Sequence, residues 1–193
     1  MAKKESTLVN MLVTLLVITA VASTALGFVY ELTKEPKAAA ELAKKTFAIK
    51  KVLPEYTNDP LNEMQKFKAY DDVDSLEFYP ARQDGELTGV AIKTYTHAGY
   101  SGYISLMVGF KANGTIHNVV VMEQKETPGL GTKMTEPEFH SQFIGADPAS
   151  FNLSVDDGGN VEAISGATIS SKAYTEAVQR AYETYMNNKD KIN

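Results

Sequence analysis

The first strong pattern in the chain is a run of apolar residues near its N-terminus. Residues 8–30 contain no charged side chain and are rich in leucine, valine, alanine and isoleucine. A bilayer core of about 30 Å needs roughly 20 such residues in a helix, so this run predicts a transmembrane segment. Lys3 and Lys4 precede it, which places residues 1–7 in the cytoplasm and the rest of the chain outside. A secretory signal peptide that ends at residues 20–22 (Ala-Val-Ala) is the alternative interpretation, and it also predicts export.

The next segment, residues 31–54, is more polar and contains two prolines. Residues 31–38 are predicted to form a juxtamembrane link that includes Pro36. Helical spacing of apolar residues returns from residue 39 to residue 53, and Pro54 ends it. We expect this helix either to extend the membrane helix or to pack on the single domain predicted for residues 55–193.

Short apolar runs in the first half of that domain predict a series of β-strands. Asp84-Gly85 and Asn113-Gly114 are turn signals between consecutive runs. Because strand follows strand without intervening helices, the pattern predicts an antiparallel meander and an α+β fold, with helices at the ends of the domain. A short helix is expected near residues 136–143. The predicted strands are residues 67–70, 76–79, 86–95, 104–110 and 116–123.

The C-terminal region shows the clearest helical pattern. Alanines four residues apart share one face with Val178, Tyr182 and Tyr185, and predict a helix that ends near Met186. Ser170 or Ser171 is the expected N-cap. A short strand is predicted at residues 161–164, after a turn at residues 156–160. A strand, a small-residue turn and a helix N-terminus together form a geometry that binds anions. The alanines are Ala173, Ala177 and Ala181.

Composition and charge narrow the possible functions. The net charge is −5, and no lysine or arginine cluster is interleaved with aromatic residues, which argues against nucleic-acid binding. The absence of cysteine excludes disulfides and cysteine-ligated metal centres within the chain. His97, His117 and His140 lack metal-ligand spacing, so no metal site is expected. No Gly-x-Gly-x-x-Gly fingerprint for a dinucleotide is present.

The segment from Glu162 to Thr168 carries the first candidate for chemistry. It reads Glu-Ala-Ile-Ser-Gly-Ala-Thr and resembles the flavinylation motif of the FMN-binding domain family, in which an acidic residue precedes Ser/Thr-Gly-Ala-Thr. The resemblance implies that a flavin transferase joins the FMN phosphate to the Thr168 hydroxyl as a phosphoester. Taken alone, such a turn is more often a simple helix cap. The neighbours implied to line the cofactor site are Ser165, Gly166, Ala167, Ile169 and Ser170.

A second motif lies about forty residues earlier. Glu126–Gly131 reads Glu-Thr-Pro-Gly-Leu-Gly, a loop in which proline fixes φ and glycine frees it. It resembles the loop that lies near the isoalloxazine ring in the same family. By resemblance, the residues expected to contact the flavin are Glu126, Thr127, Gly129, Leu130 and Gly131. Tyr100 and Tyr103, in a glycine-rich segment before a predicted strand, are further candidates for a contact with the ring.

The two motifs, the anchor and the exported domain together resemble the G subunits of Rnf complexes, the ion-translocating ferredoxin:NAD oxidoreductases. The C subunits of sodium-translocating NADH:quinone reductases have a similar arrangement. The resemblance implies an electron-transfer subunit in the cytoplasmic membrane that carries one covalent FMN, with no independent catalytic activity. The other subunits of the complex, the flavin transferase and the lipid bilayer are the expected partners. An FMN-bearing electron-transfer protein outside an ion pump, or an anchored scaffold without flavin, are the alternatives.

Overall fold

The computed structural model describes residues 7–69, 74–150 and 159–192. The chain divides into two compact units, residues 1–43 and residues 44–193. The long helix α1, Leu8–Val52, supplies the described part of the first unit and the beginning of the second. The other described helices and strands belong to the second unit, which holds both motif segments.

The apolar part of α1 has the composition of a membrane span. Its 18-residue window has a mean hydropathy of 2.3, and none of that window is buried in the protein. The hydroxyls of Thr14 and Thr24 donate to backbone carbonyls four residues earlier, at 2.7 and 2.8 Å. These bonds satisfy polar groups within the helix itself, which is what a bilayer requires. Among the described helices, α1 is the one long and apolar enough to cross a membrane, and the protein is membrane-anchored.

The prediction of a separate link at residues 31–38 is wrong, because these residues are helical and lie inside α1. A proline within a helix removes one backbone hydrogen bond and costs about 3 kcal/mol. Pro36 is followed by residues 38–40, which are all alanine, and is flanked by glutamate and lysine. All of these are strong helix formers. These neighbours add little further cost, and the helix continues through Pro36.

The second unit contains a five-stranded sheet whose strand order is the order along the chain. Every neighbouring pair is antiparallel, which confirms the predicted meander. The third strand continues four residues further than expected, to Gly99, and a two-residue turn joins it to the fourth. Residue 70, at the end of the first predicted strand, lies outside the described residues. The strands are β1 Gln65–Lys68, β2 Ser75–Gln83, β3 Glu86–Gly99, β4 Gly102–Lys111 and β5 Ile116–Glu123.

The C-terminal helix α3, Thr168–Ile192, covers one face of this sheet. Its predicted apolar stripe is confirmed, since Ala173, Ala177 and Ala181 are all buried against the strands. The other face is covered by the last turns of α1, where Ile49 and Val52 are buried. Their neighbours on that face are Tyr79, Ala81, Ala91, Met107 and Met122.

The ends of α3 differ from the prediction. The helix begins at Thr168, so Ser170 and Ser171 lie within its first turn and the predicted serine N-cap is wrong. Both serine hydroxyls are buried and bond to groups of the protein interior instead. The helix ends at Ile192 rather than near Met186. Ile192 is 1% exposed, which extends the apolar stripe by two turns.

Two short elements are predicted near α3, and one of them is present. The expected helix near residues 136–143 is present as α2, Pro137–His140, followed by a 3-10 turn at Ser141–Phe143. The expected strand at residues 161–164 is wrong, since only Val161 forms a β-bridge. A turn is predicted at residues 156–160, but residues 156–158 lie outside the described part of the chain.

Candidate functional site

Three segments that are distant in sequence enclose a cleft of about 500 Å³ at one end of the sheet. They are the turn between β3 and β4, the loop after β5, and the first turn of α3 with the residues before it. The volume lies within the range of small-molecule and cofactor sites. The cleft is lined by Tyr100, Glu126, Thr127, Leu130, Gly131, Gly166, Ala167, Thr168, Ile169 and Ser170.

The beginning of α3 presents a hydroxyl and unpaired backbone amides to this cleft. Thr168 is the first residue of the helix and is half-buried, and its hydroxyl has no hydrogen-bond partner among the described residues. The first N–H groups of a helix have no acceptor within the helix, and its dipole adds partial positive charge there. This end of the cleft can therefore hold an anionic group beside an available hydroxyl.

Ser171 fixes the turn before α3 from its buried side. Its hydroxyl accepts a hydrogen bond from the N–H of Ile164 at 2.9 Å and donates to the carbonyl of Ala167 at 3.0 Å. The N–H of Ala167 donates in turn to the carbonyl of Ile164 at 2.9 Å. Gly166, in the middle of the turn, has φ of 74°. Ser165 and Gly166 remain exposed on the outer side of this turn.

Gln142 holds the upstream half of the same motif. It is not among the site residues predicted from the sequence. Its side-chain oxygen accepts the N–H of Glu162 at 2.8 Å, and its side-chain nitrogen donates to the carbonyl of Glu162 at 3.3 Å. The amide thus replaces the strand partner that Glu162 lacks. Twenty residues separate the two in sequence, and no local pattern connects them. Glu162 and Ser165 line a second cavity, of about 210 Å³, on the outer side of the motif.

The loop side of the cleft is built around the buried side chain of Glu126. This residue is 5% exposed. One carboxylate oxygen, Oε1, accepts a hydrogen bond from the N–H of Ser101 at 2.9 Å. The other, Oε2, accepts one from the hydroxyl of Ser170 at 2.5 Å. The carboxylate therefore contacts both of the other segments that line the cleft.

The rest of this loop is held by its own backbone and by one further side chain. The N–H of Leu130 donates to the carbonyl of Thr127 at 3.1 Å. The N–H of Gly129 donates to the hydroxyl of Thr132 at 3.0 Å. Thr132 lies just beyond the six-residue motif and was not among the predicted site residues. Its contact depends on the backbone of Gly129, whose φ is 76°. Residues other than glycine rarely adopt this angle.

Three of the predicted site residues do not line the cleft. Ser165 and Gly129 are exposed and are not among the residues that line it. Tyr103 lies against two neighbouring rings instead, with its centroid 5.9 Å from that of Tyr95 and 5.3 Å from that of His97. Tyr100 does line the cleft and is 70% exposed. The remaining predicted residues are brought together there.

The cleft combines an apolar rim with a polar end. Tyr100, Leu130 and Ile169 are 70%, 42% and 52% exposed, and all three face the cleft. Exposed apolar groups at the mouth of a pocket suit a flat apolar ligand. The amides and the hydroxyl at the start of α3 suit an anionic group attached to that ligand. Thus, the residues present fit a molecule with an aromatic ring system at one end and a phosphate at the other.

Comparison with known proteins agrees with this geometry. The model of the FMN-binding domain family matches residues 99–183, a range that includes every residue lining the cleft. The fold is similar to that in the crystal structure of Shewanella oneidensis NqrC. The TM-score is 0.50 at 26% sequence identity, and the match covers 61% of each chain.

Two relatives match over almost the whole chain. The G subunit of the ion-translocating oxidoreductase complex of Methanosarcina acetivorans is 33% identical over 178 residues, which cover 90% of this chain and 92% of that protein. The G subunit of the Na(+)-translocating ferredoxin:NAD(+) oxidoreductase complex of Acetobacterium woodii is 30% identical, with 90% and 89% covered. The chain therefore belongs to the family of FMN-binding-domain proteins that includes the G subunits of ion-translocating oxidoreductase complexes.

Proposed function

We propose that this protein is the G-type electron-transfer subunit of a membrane-bound ferredoxin:NAD oxidoreductase, and that it carries FMN as a phosphoester of Thr168. The observation that carries the proposal is the placement of the Thr168 hydroxyl at a helix N-terminus, inside a cleft whose other wall is the second family motif. The near full-length relatives named as G subunits support the choice of complex.

The residues of the cleft would divide the work of holding FMN. The amides of the first turn of α3 would bind the phosphate, since a helix N-terminus favours a negative charge. The ring of Tyr100 and the aliphatic side chains of Leu130 and Ile169 would cover the flavin ring and limit its contact with water. Bound FMN supplies one- and two-electron transfer, and the protein's part is to hold and orient it.

The same arrangement explains how attachment could occur. The flavin transferase would need access to the motif from outside, and Glu162 and Ser165 are exposed on that side. In ester formation, the Thr168 oxygen attacks the flavin phosphorus of a phosphoanhydride donor such as FAD. The new P–O bond forms as the anhydride P–O bond breaks, and the hydroxyl proton leaves with the displaced nucleoside monophosphate. A hydroxyl without an internal partner needs no hydrogen bond broken before this step.

We further propose that the N-terminus lies in the cytoplasm and the FMN-binding domain outside it. Because the chain contains no cysteine, single cysteines report on each side without interference. In intact cells, a membrane-impermeant maleimide should label Glu183→Cys, which is exposed on α3, and should leave Ala2→Cys unlabelled until the cells are lysed. The reverse labelling would refute this orientation.

The proposal of covalent FMN is tested by intact mass and by in-gel flavin fluorescence after denaturation, in cells that contain the transferase. The wild-type chain should carry one FMN less one water. Thr168→Ala should carry none, whereas Thr168→Ser should be modified at least in part because it keeps a hydroxyl. Thr135→Ala, an exposed threonine outside the cleft, serves as the control and should be fully modified.

A wild-type chain without the adduct, or an adduct that persists in Thr168→Ala, would refute attachment at this residue. Co-purification tests the second half of the proposal. Membrane and peripheral subunits of a ferredoxin:NAD oxidoreductase should accompany the tagged protein from native membranes. Recovery with subunits of a quinone reductase, or alone, would assign it instead to that complex or to electron transfer outside an ion pump.

A further inference from the structure

We infer that Glu126 is a positioning residue, whose buried carboxylate ties the turn bearing Tyr100 to the first turn of α3 and so sets the spacing of the cleft. The identity of the ligand in this cleft rests on the proposed function. The tie itself depends only on contacts within the chain. The inference changes the role of Glu126 from the flavin contact predicted from sequence to a residue that acts through its neighbours.

The two carboxylate oxygens of Glu126 are each used by a different segment. Ser101, 25 residues earlier, donates its backbone N–H to Oε1 at 2.9 Å. Ser170, 44 residues later, donates its hydroxyl to Oε2 at 2.5 Å. Ser101 follows Tyr100, and Ser170 is two residues after Thr168. A single side chain therefore spans the two segments that carry the exposed ring and the available hydroxyl.

Two glycines lie against the carboxylate, and neither position has room for a side chain. A Cβ at Gly99 would lie 2.8 Å from Oε1, and a Cβ at Gly131 would lie 2.6 Å from Oε2 and 2.6 Å from the hydroxyl of Ser170. Distances below 3.0 Å require a displacement of one group. The carboxylate thus fits its site only because neither neighbour has a side chain.

The burial of this acidic group also requires both donors. Among the described residues, no lysine or arginine pairs with Glu126. A buried polar group without hydrogen bonds is costly, and a charged one more so. The backbone N–H of Ser101 and the hydroxyl of Ser170 supply the hydrogen bonds that offset this cost. The carboxylate and its two donors consequently hold one another in place.

A glutamine at this position should preserve the tie, whereas an alanine should remove it. In Glu126→Gln, the side-chain oxygen can accept from the Ser101 N–H while the side-chain nitrogen donates to the Ser170 hydroxyl oxygen. In Glu126→Ala, both donors lose their partner. Glu123→Ala is the matched control, because Glu123 lies three residues earlier and is exposed. Ser170→Ala removes one of the two bonds and is a milder second variant.

The first test measures hydrogen exchange in the flavin-free, full-length protein. Glu126→Ala should accelerate exchange of the Ser101 amide about tenfold, which corresponds to about 1.4 kcal/mol for one lost hydrogen bond. Protection of β4 and β5 away from the turn should stay at the wild-type level, and this comparison separates loss of the tie from general unfolding. Glu126→Gln and Glu123→Ala should match the wild type. Wild-type exchange in Glu126→Ala, or acceleration in Glu123→Ala of the same size, would overturn the inference.

The second test measures the attached flavin. Glu126→Ala and Ser170→Ala keep Thr168, so both should gain the FMN adduct, but the flavin should show lower fluorescence anisotropy and a midpoint potential nearer that of free FMN. Glu126→Gln should restore the wild-type anisotropy. Anisotropy and potential that are unchanged in both Glu126→Ala and Ser170→Ala would overturn the inference. A wild-type chain without any adduct would overturn the proposed function instead, and the exchange comparison would then decide on Glu126.

Discussion

The loop from Glu126 to Gly131 and the turn from Ser165 to Thr168 face each other across the cleft, but they use their polar groups differently. In the loop, the Glu126 side chain is 5% exposed and both of its oxygens are bonded within the protein. In the turn, Ser165 is exposed, and the Thr168 hydroxyl is bonded to no described residue. The loop, the closed wall of the cleft, therefore has its acidic group satisfied within the protein. The turn, the open wall, presents Ser165 and the Thr168 hydroxyl outward.

This difference matches what each wall would have to do in a flavin carrier. A surface that holds a rigid ring gains from fixed geometry, because ordering it at the moment of binding would cost entropy. A residue that is to be modified must be reached by an enzyme, so it gains from exposure. The closed loop should therefore be more sensitive to added volume, and the open turn more sensitive to loss of the contacts that support it.

The largest effect is expected from Gly131→Ala, which places a methyl group inside the closed wall. Its Cβ would lie 2.6 Å from both Glu126 Oε2 and the Ser170 hydroxyl. Relief of that overlap requires those two groups to separate, so their hydrogen bond is lost. We expect the free energy of unfolding to fall by about 2–3 kcal/mol, as is typical for overpacking in a tight core, and the attached flavin to show lower fluorescence anisotropy, as in Ser170→Ala. Denaturant titration and flavin anisotropy measure the two quantities.

Gly129→Ala is the matched control for that substitution. Gly129 has open space around the Cβ position but a φ of 76°, so an alanine there meets strain without overlap. A cost of about 1–2 kcal/mol is expected from the left-handed backbone alone. If Gly131→Ala lowers the free energy of unfolding no more than Gly129→Ala does, the close packing around Glu126 is not what makes this wall rigid.

A smaller effect is expected from Gln142→Ala, which removes support from the open wall. The two bonds between the Gln142 amide and the backbone of Glu162 are lost, at 2.8 and 3.3 Å. Water can replace them because Glu162 is exposed, so the free energy of unfolding should fall by only about 1 kcal/mol. The rate of flavin attachment should fall several-fold, since the acidic residue of the motif is no longer held in place. Time-resolved intact mass in the presence of the transferase measures this rate.

Gln83→Ala, an exposed glutamine at the end of β2, controls for the loss of an amide elsewhere on the surface. It should leave both stability and the attachment rate at the wild-type level. An attachment rate in Gln142→Ala equal to that in Gln83→Ala would show that the open wall needs no internal support.

The elements that could be predicted from sequence are those whose signal is local. The meander follows from short apolar runs and from the turn signals Asp84-Gly85 and Asn113-Gly114, each of which acts within a few residues. The stripe of α3 follows from alanines four apart. The grouping of the motif residues came from their resemblance to a family, since no local pattern brings residues 126–131 next to Thr168.

Two of the errors occur where a side chain bonds to a distant partner. Ser170 was expected to cap its own helix, but its hydroxyl donates to Glu126, 44 residues away in sequence. The strand expected at residues 161–164 lacks a partner strand because the Gln142 side chain occupies that place. Such bonds carry no sequence period. The contrast between the closed and the open wall was therefore visible only in the structure.

The smallest effect on the cleft is expected from a change at Glu77, on β2, a residue that lines neither wall. Its Oε2 accepts a hydrogen bond from the Tyr79 hydroxyl at 2.5 Å and contacts the ammonium group of Lys45 at 3.0 Å. Burial alone would raise the pKa of Glu77, but the bonds from Tyr79 and Lys45 outweigh it and hold this pKa below its ordinary value of 4.5. The ionised carboxylate thus stabilises the fold.

The lowered pKa of Glu77 determines how its contribution to the free energy of unfolding changes with pH. Because the folded pKa is lower than the unfolded one, the stabilisation is present above about pH 4.5 and is lost as the pH falls through the folded pKa. We expect Glu77→Gln to lower the free energy of unfolding by about 0.5–1 kcal/mol at pH 7, since partial exposure screens the pair. The difference from the wild type should shrink in denaturant titrations at about pH 3.5.

FMN loading and flavin anisotropy in Glu77→Gln should equal those of the wild type and of Glu86→Gln, an exposed control on β3. That result would show that the two walls depend on their own contacts rather than on the overall stability of the domain. If Glu77→Gln reduces loading as much as Gln142→Ala does at a similar loss of stability, then general stability limits attachment. The different construction of the two walls would then have no separate consequence for it.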